Sequence, residues 1–471
     1  MKFRWHYVTI MFGVAQNAMH REDGMEKEKF LFGVSTSATQ IEGGAFQDGK
    51  GETCWDYYSA NKFIKNGQTC FTACDSYNRL KEDLDLIGEL GVNAYRFSIS
   101  WARLQSLRTG EINRKGIDYY NRLIDGLLEI GVTPFVTLFH WDMPMELYRT
   151  GGFEDRKIAE RFFEYGKIVA ENFGDRVKYF SVFNEPLSLI DFLYCHPLGQ
   201  AVNASNNGKT FECVHNLLLA NAAATEALRK YGGKRVRVGM VNCSPVRIPK
   251  TAADEETARR AMFEAGDSLI EEGALFWDPL VFGRHNPRLI EKYGLDTSCI
   301  REGDMERIRC KPDFMGLNIY CGTVVETGKD GEIVKSAPSL NCNYGDMGGD
   351  IAGTADSMYW GVKFMYERYK LPIYVTENGC SLTEWKDLSG KVEDPMRADY
   401  IRRYFASLMK AKKEVPVMGY FVWTLMDNFE WSSGFTRRFG LVYVDFETLK
   451  RTKKSSFYAY RDLIKDNLKN M

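Results

Sequence analysis

Eight short runs of apolar or β-branched residues recur along the chain, at 30–34, 94–99, 134–139, 179–183, 236–241, 314–320, 372–376 and 418–423. Each reads as almost continuously hydrophobic, which marks a strand covered on both faces, as in a parallel sheet wrapped by helices. Between the runs the apolar positions change to helical spacing. Leu80, Leu84, Ile87 and Leu90 fall on one face, and so do Ile117, Tyr120, Ile124 and Leu127. The segment Glu89-Leu-Gly-Val-Asn-Ala-Tyr is echoed one helix-plus-strand unit later by Glu129-Ile-Gly-Val-Thr-Pro-Phe. In both copies a glycine, Gly91 or Gly131, stands where a helix needs a left-handed residue before the next strand. Repetition of this unit predicts an α/β fold, a (β/α)8 TIM barrel. The competing architecture is an open doubly wound sheet, but no GxGxxG follows the first run and no Walker-type loop occurs.

Composition changes this picture little. The 471 residues are 44% hydrophobic and 27% charged, enough for a large core in an ordinary globular chain. No Pro/Gly-rich linker divides the sequence, so residues 25–471 are expected to form one catalytic barrel domain. Residues 1–24 are expected to be an N-terminal extension outside the core. Lys2 and Arg4 precede a mostly apolar stretch there and faintly imitate a secretory signal, but the small residue needed ahead of a cleavage site is absent, and secretion is left open.

Charge and cysteine usage exclude several partners. Sixty-two basic against sixty-three acidic residues give a net charge of −1, which offers no electrostatic case for nucleic acid or an anionic membrane. No apolar run approaches the roughly 18 residues that span a bilayer. Eleven cysteines, an odd number without CxxC pairs, suit reduced thiols and a cytoplasmic location rather than disulfides or a zinc site. The glycosylation sequons at Asn203 and Asn242 are short patterns of little weight. A small neutral ligand fits this surface best, and a homo-oligomer is left open.

The ends of the eight runs carry the chemistry. Gln40 follows the first, Arg96 lies in the second, His140-Trp141-Asp142 follows the third and Asn184-Glu185 the fourth. Asn318 and Tyr320 close the sixth, Glu377-Asn378-Gly379 follows the seventh and Trp423 ends the eighth. In a (β/α)8 barrel the C-terminal strand ends share one face, so these side chains are expected to converge in one pocket. Glu185 and Glu377, at strands four and seven, then face each other across the barrel mouth. Glycoside hydrolysis needs such a pair, one carboxyl protonating the leaving oxygen while the other attacks the anomeric carbon. Arg96 is placed to hold Glu377 ionised, which leaves the proton-donating role to Glu185.

Paired carboxylates alone also serve metals, lysines and ion pairs, so the motifs decide. Gln40-Ile-Glu-Gly, Arg96-Phe-Ser-Ile-Ser-Trp101, Phe139-His-Trp-Asp-Met-Pro144, Phe183-Asn-Glu-Pro186, Asp313-Phe-Met-Gly-Leu-Asn318, Tyr374-Val-Thr-Glu-Asn-Gly379 and Asn428-Phe-Glu-Trp431 closely resemble family-one glycoside hydrolases, in that family's order and over about residues 28–464. The resemblance implies a retaining β-glucosidase-like enzyme with Glu377 as nucleophile and Glu185 as acid/base. By the same likeness Gln40, His140, Asn184, Asn318, Tyr320, Trp423, Glu430 and Trp431 would bind the sugar of a β-glycoside substrate. Arg96 and Tyr320 would orient the nucleophile. No cofactor and no metal is expected.

Two departures qualify the likeness. Asp346-Met-Gly-Gly349 stands where many relatives have Met-Gly-Trp, and Thr39 precedes Gln40 where an aromatic is common. Loss of that indole suggests a wider leaving-group site. The rival readings are a 6-phospho-β-glucosidase and a non-catalytic sugar-binding relative. Relatives of the first kind replace the glutamate at Glu430, whose charge would repel a phosphate, and those of the second have lost a catalytic glutamate.

Overall fold

The computed structural model describes residues 29–195, 207–243, 245–264, 266, 269–337, 340 and 350–468. Eight parallel strands close into a barrel in sequence order: β1 (Leu31–Ser35), β2 (Ala94–Ser98), β3 (Thr133–Phe139), β4 (Tyr179–Asn184), β5 (Arg237–Cys243), β6 (Phe314–Asn318), β7 (Ile373–Glu377) and β8 (Val417–Trp423). The ring is sealed by β1 against β8, with Leu31 opposite Gly419 and Ser35 opposite Trp423. All eight predicted runs are barrel strands, displaced by at most two residues at an end. Among the described residues five further short strands lie outside the barrel. Val246–Pro249, Gly322–Thr327 and Ile333–Lys335 form one sheet, and Val442–Val444 pairs with Arg451–Lys453.

Helices α1 (Leu80–Leu90) and α2 (Arg114–Glu129) carry the two periodic faces read from sequence. Ile117, Tyr120, Ile124 and Leu127 are buried, as are Ile87 and Leu90, while Leu80 and Leu84 pack half-buried against the same core. Gly91 ends α1 with φ +77 and Gly131 follows α2 with φ +73. An added Cβ would meet nothing within 4 Å at either glycine, so the left-handed backbone and not crowding is what requires it.

Two layers fill the barrel. The lower is apolar: Leu31, Ala94, Phe135, Tyr179, Phe314, Tyr374 and Phe421 touch one another across the axis. Phe135 and Tyr179 stack at 5.5 Å, and Phe314, Tyr374 and Phe421 meet Phe135 edge-on. Glycines on neighbouring strands make the room, since a Cβ at Gly33 would lie 2.2 Å from the Phe421 ring and one at Gly239 2.5 Å from that of Phe314. Inward side chains recur at every second residue, so the next layer up begins with Arg96, Thr137, Ser181 and Thr376.

No helix among the described residues is long and apolar enough to cross a membrane. Nine cysteines within them are free, Cys70 and Cys74 included, and both of these are buried. Asn242 is fully buried on β5, which removes its sequon as a glycosylation site. Residues 1–24, Asn203 and Asp346-Met-Gly-Gly349 lie outside the described residues.

Candidate active site

The two strands that carry the candidate catalytic glutamates are both irregular at their C-terminal ends. Pairing of β4 with β5 shifts register between Ser181 and Asn184, and pairing of β7 with β6 shifts between Val375 and Glu377. Such irregularities re-aim side chains at a barrel rim. Glu185 follows directly, with φ +43, as the residue before the short helix Pro186–Ile190, and its backbone N–H donates to Val241 O at 2.8 Å. Trp141 (φ +74) and Trp431 (φ +48) hold similarly sparse left-handed backbones at the same face.

Arg96 organises the floor of the site. It is fully buried, and its Nη1 meets Glu377 Oε1 at 2.6 Å while Nη2 donates to Asn184 Oδ1, also at 2.6 Å. Thr137 Oγ1 accepts from its Nε at 3.2 Å. A guanidinium can only donate, so the Asn184 amide must present its oxygen to Arg96 and its nitrogen elsewhere. That nitrogen donates to His140 Nε2 at 2.9 Å, which places the imidazole hydrogen on Nδ1. His140 Nδ1 is buried and has no protein partner. Burial, with Arg96 nearby, pushes the His140 pKa well below its ordinary value, so the ring is neutral and offers one donor.

Each catalytic candidate is held at both oxygens. Tyr320 OH donates to Glu377 Oε2 at 2.6 Å, opposite the Arg96 contact. Asn318 Nδ2 donates to Glu185 Oε1 at 2.7 Å and to Asn184 Oδ1 at 3.1 Å, and Ser188 Oγ donates to Glu185 Oε2 at 2.9 Å. The two glutamates are thereby joined through Arg96, Asn184 and Asn318, and they are 3% and 8% exposed, Glu377 the less. Asn318 has no amide group left over, because its Oδ1 accepts from Thr376 Oγ1 at 2.8 Å. It braces protein groups here.

The remaining candidates form the far wall. Gln40 Nε2 donates to Asn428 Oδ1 and Glu430 Oε2, both at 3.1 Å, and Ser37 Oγ donates to Gln40 Oε1 at 2.6 Å. His140 stacks between Trp423 (5.9 Å) and Trp431 (5.8 Å). Trp431 in turn leans on Trp55 and Trp141, each at 4.7 Å. Every side chain singled out from the sequence thus lies at one end of the barrel. Ser37, Thr137, Ser188 and Asn428 were not singled out. Only Asn428 had a signal within a quoted motif, and Ser188 had the weaker one of lying one helical turn beyond Glu185.

Electrostatics correct one expectation. Arg96 does contact Glu377, but burial outweighs it, and with Glu185 close by the Glu377 pKa is pushed up to about 7 against the pull of Arg96 and Tyr320. Burial also pushes Glu430 up to about 8, opposed by Arg437 and reinforced by Glu377 and Glu185. The site gathers three carboxyl groups around one strong cation, and at neutral pH it retains protons that an exposed glutamate would lose.

A closed (β/α)8 barrel with two braced glutamates at the ends of β4 and β7, one beside an arginine and a tyrosine, defines a barrel glycosidase. The chain belongs to glycosyl hydrolase family 1, whose sequence pattern matches residues 23–469. It is 40% identical to β-glucosidase A of Thermotoga maritima over 93% of this chain and 98% of that one. It is 34% identical to the bifunctional β-D-glucosidase/β-D-fucosidase of Bifidobacterium breve over 93% of this chain and 98% of its relative. The solved structure of the Thermotoga maritima β-glucosidase in complex with glucoimidazole superposes with a TM-score of 0.82 at 39% identity, covering 93% of this chain and 98% of that one.

Proposed function

We propose that this glycosidase is a retaining β-glucosidase that hydrolyses terminal, non-phosphorylated β-D-glucosyl residues, with β-galactosides and β-fucosides as further substrates. The observation that carries this reading is the single network Glu377–Arg96–Asn184–Asn318–Glu185, which fixes two carboxyl groups at the ends of β4 and β7. Glu377 attacks the anomeric carbon while Glu185 gives its proton to the departing glycosidic oxygen, so the C–O bond breaks and a covalent glycosyl-enzyme forms. Glu185, now a carboxylate, takes a proton from water as that water attacks the same carbon, releasing Glu377 with net retention. Only water is consumed.

The binding roles follow from the groups left unpaired. His140 Nδ1–H and the second hydrogen of Asn184 Nδ2 are donors for sugar hydroxyls, Asn184 for the 2-hydroxyl. By the family likeness Gln40 and Glu430 bind hydroxyls further round the ring, Gln40 by exchanging its Asn428 and Glu430 contacts for sugar oxygens, and the indoles of Trp423 and Trp431 cover its apolar face. Tyr320 and Arg96 orient Glu377. Glu430 argues against a 6-phosphate, because it is the glutamate that relatives acting on phosphorylated sugars replace, and a phosphate would add negative charge close to Glu377 and Glu185. The relatives' names, β-glucosidase and β-glucosidase/β-fucosidase, support glucose and fucose as glycones.

Residues 25–471 are proposed as the catalytic domain, with 1–24 outside it, and the unpaired cysteines favour a cytoplasmic location. At Gly349 we propose a wider leaving-group site; a Gly349→Trp variant with unchanged preference across aryl glucosides and disaccharides would refute that. The reading as a whole is tested by nitrophenol release from 4-nitrophenyl β-glucoside beside its 6-phosphate. Turnover of the plain glucoside is expected, and turnover of the phosphorylated one alone would overturn the role given to Glu430.

A further inference from the structure

The two donors that hold Glu185 differ in kind. Asn318 Nδ2, at 2.7 Å from Oε1, can only donate, and its amide cannot turn because Thr376 Oγ1 donates to the other end. Ser188 Oγ, at 2.9 Å from Oε2, is a hydroxyl that can donate, accept or rotate. Behind it Cys243 Sγ lies 3.6 Å from the same oxygen, a contact in which either atom serves as donor. The three groups come from different places: Glu185 precedes the helix Pro186–Ile190, Ser188 lies on that helix, and Cys243 ends β5. Ser188 and Cys243 are partly exposed, Glu185 nearly buried.

This arrangement suits a carboxyl that must change protonation twice per turnover. When Glu185 is a carboxylate, the serine hydrogen points to Oε2 and Cys243 S–H donates to the serine oxygen. When Glu185 carries its proton on Oε2, the serine hydrogen turns to Cys243 Sγ and no longer opposes that proton, which is left for the leaving oxygen. Rotation about the Cβ–Oγ bond of Ser188 gives the serine hydrogen an acceptor in both states, Glu185 Oε2 in one and Cys243 Sγ in the other, where a second rigid amide would oppose the protonated one. Burial, with Glu185 beside it, pushes the Cys243 pKa well above its ordinary value, so the group remains a thiol with both functions available.

We propose that Ser188 is a positioning residue for the acid/base, with Cys243 as the partner that takes the serine's hydrogen whenever Glu185 is protonated. The proposal rests on Glu185 being the acid/base. No bond to the sugar is made by either group. Ser188 acts by holding the carboxyl plane and by stabilising the carboxylate that remains once the proton has left.

The test is kcat/KM across aryl β-glucosides from phenyl to 2,4-dinitrophenyl, for the wild type, Ser188→Ala, Ser188→Thr, Cys243→Ala and Glu185→Ala. Ser188→Ala is expected to lose about tenfold on phenyl β-glucoside and less than about threefold on the dinitrophenyl substrate, whose departure needs little proton donation. Ser188→Thr should restore most of the loss, and Cys243→Ala should show the same trend at about two- to threefold. The rate at which 2,4-dinitrophenyl 2-deoxy-2-fluoro-β-glucoside inactivates each variant monitors folding and the nucleophile, and in Ser188→Ala it should stay within about threefold of wild type. A loss in Ser188→Ala that is equal along the series, or no loss at all, would overturn the proposal, provided Glu185→Ala shows a steep leaving-group dependence. A flat Glu185→Ala would instead overturn the acid/base assignment on which it rests.

Discussion

At the lower end of the barrel the inward side chains are Leu31, Ala94, Phe135, Tyr179, Phe314, Tyr374 and Phe421; two residues further along the same strands they are Gly33, Arg96, Thr137, Ser181, Gly316, Thr376 and Trp423. The lower set is apolar apart from two tyrosine hydroxyls and is held mainly by ring contacts. The upper set holds a fully buried guanidinium, and just beyond it at the same strand ends stand two glutamates and a neutral imidazole with an unpaired donor. Burying such groups opposes folding unless each is matched, and here matching is left incomplete in the places a sugar would complete it. The comparison teaches that one set of strands can separate stability from chemistry by a shift of two residues.

Substitutions at the two ends should therefore fail in opposite ways. Glu377→Ala is expected to lower turnover by at least about 10⁴-fold with no loss of thermal stability, and added azide should restore part of the rate with inverted product. An undiminished rate would remove the nucleophile assignment. Glu185→Ala should cost about 10²- to 10⁴-fold on glycosides with poor leaving groups and far less on activated aryl glycosides in the first step. Phe135→Ala, one layer below, should do the reverse, costing about 3–5 kcal/mol in denaturant unfolding while the folded fraction turns over at nearly the wild-type kcat. A large kcat effect there would show that the aromatic plug does more than pack.

The fold was legible because barrel strands buried on both faces write long apolar runs, and all eight runs were strands. The five short outer strands left no such trace: Ile333–Lys335 and Val442–Val444 are three residues each, too short to show a sustained period, and the first is partly exposed. At the site, motifs and strand ends brought Arg96, His140, Glu185 and Glu377 to one face, but sequence could not show which atoms each group faces. Asn318 read as a sugar ligand, yet all its amide atoms are engaged by Glu185, Asn184 and Thr376. Ser188 went unremarked because a serine one turn into a helix is unexceptional until its hydroxyl is seen against Glu185. The Glu377 charge state was misjudged for a similar reason, since a contact with Arg96 was foreseeable and the depth of burial was not.

That charge state supplies the smallest and most discriminating expectation. Glu377 and Glu430 have ordinary values of 4.5 and are pushed to about 7 and about 8 in the folded chain. The native state therefore binds protons more tightly than the unfolded chain, so the stability associated with these groups is fully present below about pH 4.5 and is lost as pH rises through 7 and 8. Glu430→Gln removes one carboxyl and relieves its repulsion of Glu377. It should be more stable than wild type at pH 8, by about 1–2 kcal/mol, and match it at about pH 3, where both groups are protonated in either state. The acid limb of kcat/KM, governed by ionisation of Glu377, should stay near its wild-type pH in the same variant, because Glu430 still carries its proton when Glu377 ionises, even as KM rises from the lost sugar contact. Equal stabilisation at both pH values would trace the gain to packing instead, and the polar end of the barrel would then carry no electrostatic cost for its chemistry.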